Sequence, residues 1–265
     1  KIKLDVQKKS EQDSVAKLKV EWLHGAVAKN LKTIVQVQIN QGKTMFDDYK
    51  KYTFDSPLRS YSSDLMTIVD GKVDENGALT FSKQLHVGNT APGKLKANYI
   101  TKVFESGGDF SIDRTQVDYS PFQTYIGIQS PATGSFDGSL ETDKKHAFDI
   151  VAVSEDGKLK TDETVEVKIY KLQWRWWYEN NDSDLASYIA RTGSFLVKDT
   201  VLKTKQGKAS IPFKINYPDY GKYVIIATHK NGNHQTGLPF TIDWPYWNRT
   251  NRVQGEHANL LNFTT

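Results

Sequence analysis

Two stretches of this chain, about 130 residues apart, carry the same ordered series of strands and turns. Val15 to Ile39 and His146 to Tyr170 each hold an alternating strand, a turn with a glycine (Gly25 or Gly157) and a second alternating strand. Farther on, Asp74-Glu75-Asn76-Gly77-Ala78-Leu79-Thr80-Phe81 resembles Lys203-Thr204-Lys205-Gln206-Gly207-Lys208-Ala209-Ser210-Ile211. A proline and glycine turn and another strand follow in each half, Pro92 to Tyr99 and Pro218 to Ile225. A glycine turn and a closing strand come next: Ser106-Gly107-Gly108 before Phe110 to Asp113, and Asn231-Gly232-Asn233 before Phe240 to Asp243. Four elements agreeing in order mark two homologous domains of ordinary size, meeting near Tyr119-Ser120-Pro121.

The repeated unit is built of strands. Ile2, Leu4 and Val6 alternate with polar residues, as do Ala16, Leu18 and Val20, then Val35, Val37 and Ile39, and later Val165, Val167 and Ile169. Helical periodicity is nearly absent. Each alternating strand has one apolar face, and a second sheet is what covers it. With 265 residues and 38% hydrophobic content, each half is large enough to bury a core. The expected fold is all-β: two tandem immunoglobulin-like antiparallel β-sandwiches over 1–119 and 120–243. Residues 244–265 are then a linker and the first strand, Leu260-Leu261-Asn262-Phe263, of a following, truncated domain. Asn76-Gly77, Gly107-Gly108 and Asn231-Gly232 are expected as hairpin turns that need positive φ. Two segments break the pattern. Phe46 to Phe54 is aromatic and polar, and too long for a tight turn. Trp174-Arg175-Trp176-Trp177-Tyr178 ends a long strand and leads into the polar run from Glu179 to Asp184.

Reactive chemistry finds little support. The chain has no cysteine, which removes disulfides, thiolate metal sites, cysteine nucleophiles and any cysteine-derived thioester. Lysines and acids are interspersed, the formal net charge is +4, and no block of like charge suggests a nucleic-acid partner. The longest apolar run, Val224-Ile225-Ile226-Ala227, is strand-sized and far below the ~20 residues of a spanning helix. The chain opens at Lys1 with no Met and no signal peptide, as an excised segment or a processed product both would. Asp70 to Gly77 superficially resembles a calcium loop, but with Gly77 in the turn position the first ligand would be Lys72, which cannot coordinate a cation. His229 and His234 form a close pair with no evident third ligand for zinc. The motifs of serine hydrolases, zinc proteases and phosphate loops are missing, while the plentiful acids leave a glycosidase-type carboxylate pair open on spacing alone. Asn181, Asn248 and Asn262 match the short glycosylation pattern, which arises easily by chance. No catalytic, cofactor or metal residue is therefore expected. The site residues singled out are the aromatic cluster Trp174, Trp176, Trp177 and Tyr178. Its first reading is packing or contact with a neighbouring domain, and its second is a stacking platform for sugar or a partner.

Three stretches resemble the macroglobulin-like domains of the bacterial alpha-2-macroglobulin family. The first is Val20 to Leu31, similar to a family strand and turn, with Val27 where the family usually has proline. The second is the aromatic loop Phe46 to Phe54. The third runs from the Trp174 segment to Ile242-Asp243-Trp244-Pro245-Tyr246-Trp247, similar to the family's passage into its next domain. The resemblance implies a non-catalytic scaffold segment of a protease trap, an endopeptidase inhibitor. Its partners would be the other domains of the same polypeptide, and proteases through the full-length protein. It implies no nucleic acid, and a membrane only through an anchor outside the segment, as in a lipoprotein. The location implied is extracytoplasmic: periplasmic or outer-membrane-anchored, with secretion as second choice. The family's Cys-x-Glu-Gln thioester motif has no counterpart here, because the chain has no cysteine. The alternative to this reading is a cell-surface adhesin or carbohydrate-binding module using Trp174 to Trp177.

Overall fold

The structure, a computed structural model, describes residues 1–8, 13–85, 87, 90–132, 138–172 and 195–244. Its described residues form fifteen strands and one short 3-10 turn, Asp47–Tyr49. The first seven strands are β1 (Ile2–Lys8), β2 (Asp13–Val20), β3 (Lys32–Gln41), β4 (Met66–Lys72), β5 (Ala78–Gln84), β6 (Leu95–Phe104) and β7 (Phe110–Tyr119). The next are β8 (Thr124–Gln129), β9 (Leu140–Glu141), β10 (His146–Ser154) and β11 (Thr164–Leu172). The last are β12 (Phe195–Lys203), β13 (Lys208–Phe213), β14 (Gly221–His229) and β15 (Gln235–Asp243).

The chain divides into two compact units. The first comprises Lys1–Met45, Arg59–Tyr125 and Gly232–His234; the second comprises Phe46–Leu58 and the described residues of Ile126–Asn231 and from Gln235 on. The first unit has a three-stranded sheet in the order β1-β2-β5 and a four-stranded sheet in the order β4-β3-β6-β7. The second has β8-β10-β13 and β12-β11-β14-β15, with β9 added beyond β15 as a short parallel strand. Strand for strand the two topologies are the same, apart from β9. The all-β, two-sandwich expectation is what the chain adopts.

The likeness reaches single hydrogen bonds. The turn after β2 is closed by Trp22 N donating to Ala26 O and Gly25 N to Trp22 O. After β10, Ser154 N donates to Lys158 O and Gly157 N to Ser154 O. Gly25 and Gly157 carry φ of +89° and +86°, a left-handed backbone that glycine adopts at no steric cost. Asn30 and Asp162 follow at φ +56° and +59°, and their amides donate to Asp74 O and Thr204 O. This agreement between halves is what a duplicated sequence produces when identical turn chemistry is kept.

Three details differ from the sequence expectation. The Asn76-Gly77 turn has the predicted positive φ at Gly77 but is not a hairpin: it carries the chain from β4 in one sheet to β5 in the other. The β14–β15 connection is a hairpin, but its left-handed residue is Asn233 (φ +57°) rather than Gly232. The closing strands also match in a different register. Phe240 pairs with Tyr223, and the equivalent pair in the first unit is Ala97 with Val117, so Phe240 answers to Val117 and not Phe110. A glycine turn can move its special residue by one position without changing the strands it joins, so local composition leaves that register open.

The core of the first unit gathers Leu4, Leu18, Val35, Val37, Ile39, Leu95 and Tyr99 from both of its sheets, all buried. In the second unit Phe148, Phe213 and Phe240 form an aromatic centre. Phe148 stacks on Phe213 at 4.9 Å and meets Phe240 edge-on at 4.8 Å. Tyr223, the cross-strand neighbour of Phe240 in the same sheet, stacks on it at 5.6 Å. Such offset and T-shaped pairs add about 0.5–1.5 kcal/mol each beyond the area they bury.

Candidate functional site

Trp174, Trp176, Trp177 and Tyr178 lie outside the described residues, as does Leu260-Leu261-Asn262-Phe263. Their place in the chain is nevertheless defined. β11 and β12 pair up to Lys171 with Phe195, so the segment 173–194 is the connection between these two strands. Its equivalent in the first repeat is the connection between β3 and β4, residues 42–65, which contains the aromatic loop Phe46 to Phe54. The two sequence segments that break the strand pattern are thus the same connection in successive repeats.

Two chemical candidates lie within the described residues. In Asp70 to Gly77, Asp74 is spent on the turn. Its Oδ1 accepts from Asn76 N and Ala78 N, both at 2.8 Å, and its carbonyl accepts from Gly77 N at 3.0 Å. Lys72 belongs to β4. His229 and His234 do not converge. His229, buried at the end of β14, makes a 2.7 Å hydrogen bond from Nε2 to Glu163 Oε2, and Lys160 Nζ lies 3.6 Å from the other oxygen of that carboxylate. His234 is buried in the first unit, with Phe122 and Tyr125 rings at 5.0 and 4.8 Å. Among the described residues, no three His, Cys, Asp or Glu side chains are grouped as metal ligands would be, and no helix is long and apolar enough to cross a membrane.

The His229–Glu163 pair is a residue-level finding that spacing did not reveal. Its counterpart in the first unit is apolar. His229 pairs with Val165 where Val103 pairs with Thr33, and Glu163 O accepts from Thr204 N where Leu31 O accepts from Val73 N. Where the first unit has buried Val103 and half-buried Leu31, the second has a hydrogen-bonded imidazole and acid. Nδ1 of His229 is buried without a hydrogen-bond partner among the described residues. The sequence signal existed only through the repeat, as a polar residue at an inward position of β14.

Electrostatics elsewhere are those of a strand surface. Asp156, in the β10–β11 turn, is held down to about 2 by hydrogen bonding to Lys158 first and Ser154 second. Burial, with the Asp219 carboxylate second, pushes Tyr223 up to about 12, and its hydroxyl donates to the Asp219 carbonyl. Tyr99 is also raised by burial. Trp244, where the described chain ends, meets Tyr217 and Tyr220 edge-on at 5.4 and 5.1 Å. Phe195, Leu196, Val197 and Val201 are exposed on β12, the edge strand of its sheet. An open cleft beside them is lined by Ile169, Val197, Lys198, Phe213, Lys214 and Ile215.

These features define a class: two consecutive antiparallel β-sandwiches of one topology. Residues 1–118 match the model of the bacterial alpha-2-macroglobulin MG5 domain, and residues 127–244 match bacterial macroglobulin domain 6. The chain belongs to the bacterial alpha-2-macroglobulin family. Among curated proteins no relative matches the sequence. Solved structures share the fold. Trypsin-activated alpha-2-macroglobulin from Escherichia coli is 15% identical with a TM-score of 0.59, covering 92% of this chain and 17% of its own. Salmonella alpha-2-macroglobulin reacted with methylamine is 17% identical with a TM-score of 0.57, covering 92% and 17%. The native conformation of the Escherichia coli protein gives 15% identity and a TM-score of 0.55, covering 91% and 16%. The chain therefore spans about one sixth of the length of these structures.

Proposed function

We propose that this chain is a non-catalytic scaffold segment of an alpha-2-macroglobulin-like protease trap. In this reading it works outside the cytoplasm and holds neighbouring domains of the same polypeptide in place. The observation that carries this is the consecutive match of its two halves to domains 5 and 6 of the family. The relatives of known structure include one activated by trypsin, which supports a protease as the partner of the full-length protein. Periplasmic or outer-membrane anchoring through a lipid outside this segment belongs to the same proposal. The domain limits 1–119, 120–243 and 244–265 are part of it too.

Within this reading Trp174, Trp176, Trp177 and Tyr178 are domain-contact residues. Support comes from the first repeat, whose equivalent aromatic connection leaves its own sandwich and packs into the second unit. The test uses full-length protein and its Trp176→Ala variant. Full-length protein incubated with trypsin is expected to shield the protease from a large protein substrate but not from a small chromogenic one. Trp176→Ala is expected to weaken that shielding and to lower the melting temperature, by about 3–5 kcal/mol of stability if the domain contact buries the ring. Glycan binding by the 265-residue chain, lost in Trp176→Ala at unchanged melting temperature, would replace this reading with the carbohydrate-binding one.

A further inference from the structure

Residues 46–58 belong to the first repeat by sequence, between β3 and β4, and to the second unit by structure. We infer that this segment is a structural strap of the second sandwich, whose two sheets it stitches together, and that the second unit opens by losing it while the first stays closed. The inference concerns folding and stands apart from the scaffold reading.

The strap bonds to both sheets of the second unit. Thr53 exchanges two backbone hydrogen bonds with Ile128 of β8, at 2.8 and 2.9 Å. From the other sheet, Gly237 N of β15 donates to Asp55 O at 3.2 Å, and Thr236 Oγ1 donates to Thr53 O at 3.0 Å and also reaches Asp55 O at 3.3 Å. Ser56 Oγ donates to Gln235 Oε1 at 2.9 Å. Apolar contacts follow the same route. Phe54 is buried, with Phe46 edge-on at 4.8 Å, and Leu58 packs on Val224, Ile226 and Leu172.

The second sandwich is shaped to receive this segment. Glycine weakens a strand interior unless another group must approach closely. A Cβ on Gly127 of β8 would lie 2.6 Å from the Phe54 ring, and one on Gly237 of β15 would lie 2.7 Å from Pro57. In the first unit the residue equivalent to Gly237 is Arg114, since Ile226 pairs with Gly237 as Ile100 pairs with Arg114. β14 is buried on both faces from Tyr223 to Ala227, whereas β6, its equivalent, alternates between buried and half-buried along its length. The unalternating run Val224-Ile225-Ile226-Ala227 therefore needs cover on its outer face, and Leu58 supplies part of it on Val224 and Ile226.

Native-state hydrogen exchange on the full chain in sub-denaturing urea tests this. The amides of Thr53 and Gly237 are expected to share the opening isotherm of Ile225, separate from that of Tyr99 in the first unit. In Gly127→Ala and Gly237→Ala, exchange at Thr53 is expected to quicken about tenfold or more while Tyr99 changes less than about twofold. If either variant fails to fold, Ser56→Ala, which removes the hydrogen bonds of Ser56 Oγ to Gln235 Oε1 and from Leu58 N, takes its place with the same expected pattern. Thr53 following Tyr99, one isotherm for every amide, or variants that leave Thr53 unchanged or shift Thr53 and Tyr99 equally would each overturn the inference.

Discussion

At the scale of single residues, the duplicated fold supplies its own control. The position occupied by Leu31 and Val103 in the first sandwich is occupied by Glu163 and His229 in the second. Removing either member of the pair takes away a hydrogen bond made in a largely desolvated place, at a cost of about 1–3 kcal/mol. The cost is greater for the buried His229 left behind than for the half-buried Glu163, which keeps Lys160 nearby. Replacing both by apolar residues of fitting shape is often neutral or stabilising. His229→Val and Glu163→Leu are therefore each expected to lower the urea midpoint, and the double variant to recover most or all of the loss. A double-mutant cycle from urea denaturation measures the coupling. Additive losses would show that the pair contributes no more than its separate parts.

At the scale of elements, turn geometry decides how much a substitution costs. Gly25 and Gly77 both have positive φ, +89° and +68°. A Cβ on Gly25 meets nothing within 4 Å, whereas one on Gly77 would stand 2.4 Å from Val20 O and 3.2 Å from Ala28 O. Backbone strain alone costs about 1–3 kcal/mol for a non-glycine residue held there. At Gly77 the close carbonyls add to it, because backbone cannot rotate away as a side chain can. Gly77→Ala is expected to lower the urea midpoint clearly more than Gly25→Ala. Equal effects would mean that the crossover from β4 to β5 relaxes freely. The strand pattern and most of its glycine turns were legible in the alternation and composition. The register at Phe240 and the left-handed residue at Asn233 were not, since neighbouring turn conformations satisfy the same short sequence.

At the scale of the whole molecule, both sandwiches carry a buried tyrosine whose ionised form the interior resists. Tyr223 is pushed up to about 12 by burial and then by Asp219, and Tyr99 is raised by burial. A phenol raised in the folded state stabilises the fold fully below its unfolded value near 10, and that contribution is lost as pH climbs through the folded value. The midpoint of urea unfolding is expected to fall between about pH 10 and 12, and to fall less steeply in Tyr223→Phe. An unchanged slope in that variant would assign the alkaline sensitivity to other groups.

Alternation, turn glycines and the repeat were enough to determine two all-β sandwiches with matching strand order. They are local patterns, and local patterns dictate which face of a strand is buried. The tertiary structure alone decided that Phe46 to Leu58 completes the second sandwich and that His229 meets Glu163. It also decided which strands lie under cover on both faces. Those outcomes join groups far apart in the chain, such as Thr53 with Ile128 and Ser56 with Gln235. The sequence hinted at them only where a strand kept a glycine or ceased to alternate, at Gly127, Gly237 and Val224 to Ala227. There the missing side chain and the second apolar face mark the approach of a neighbour whose identity no local pattern records.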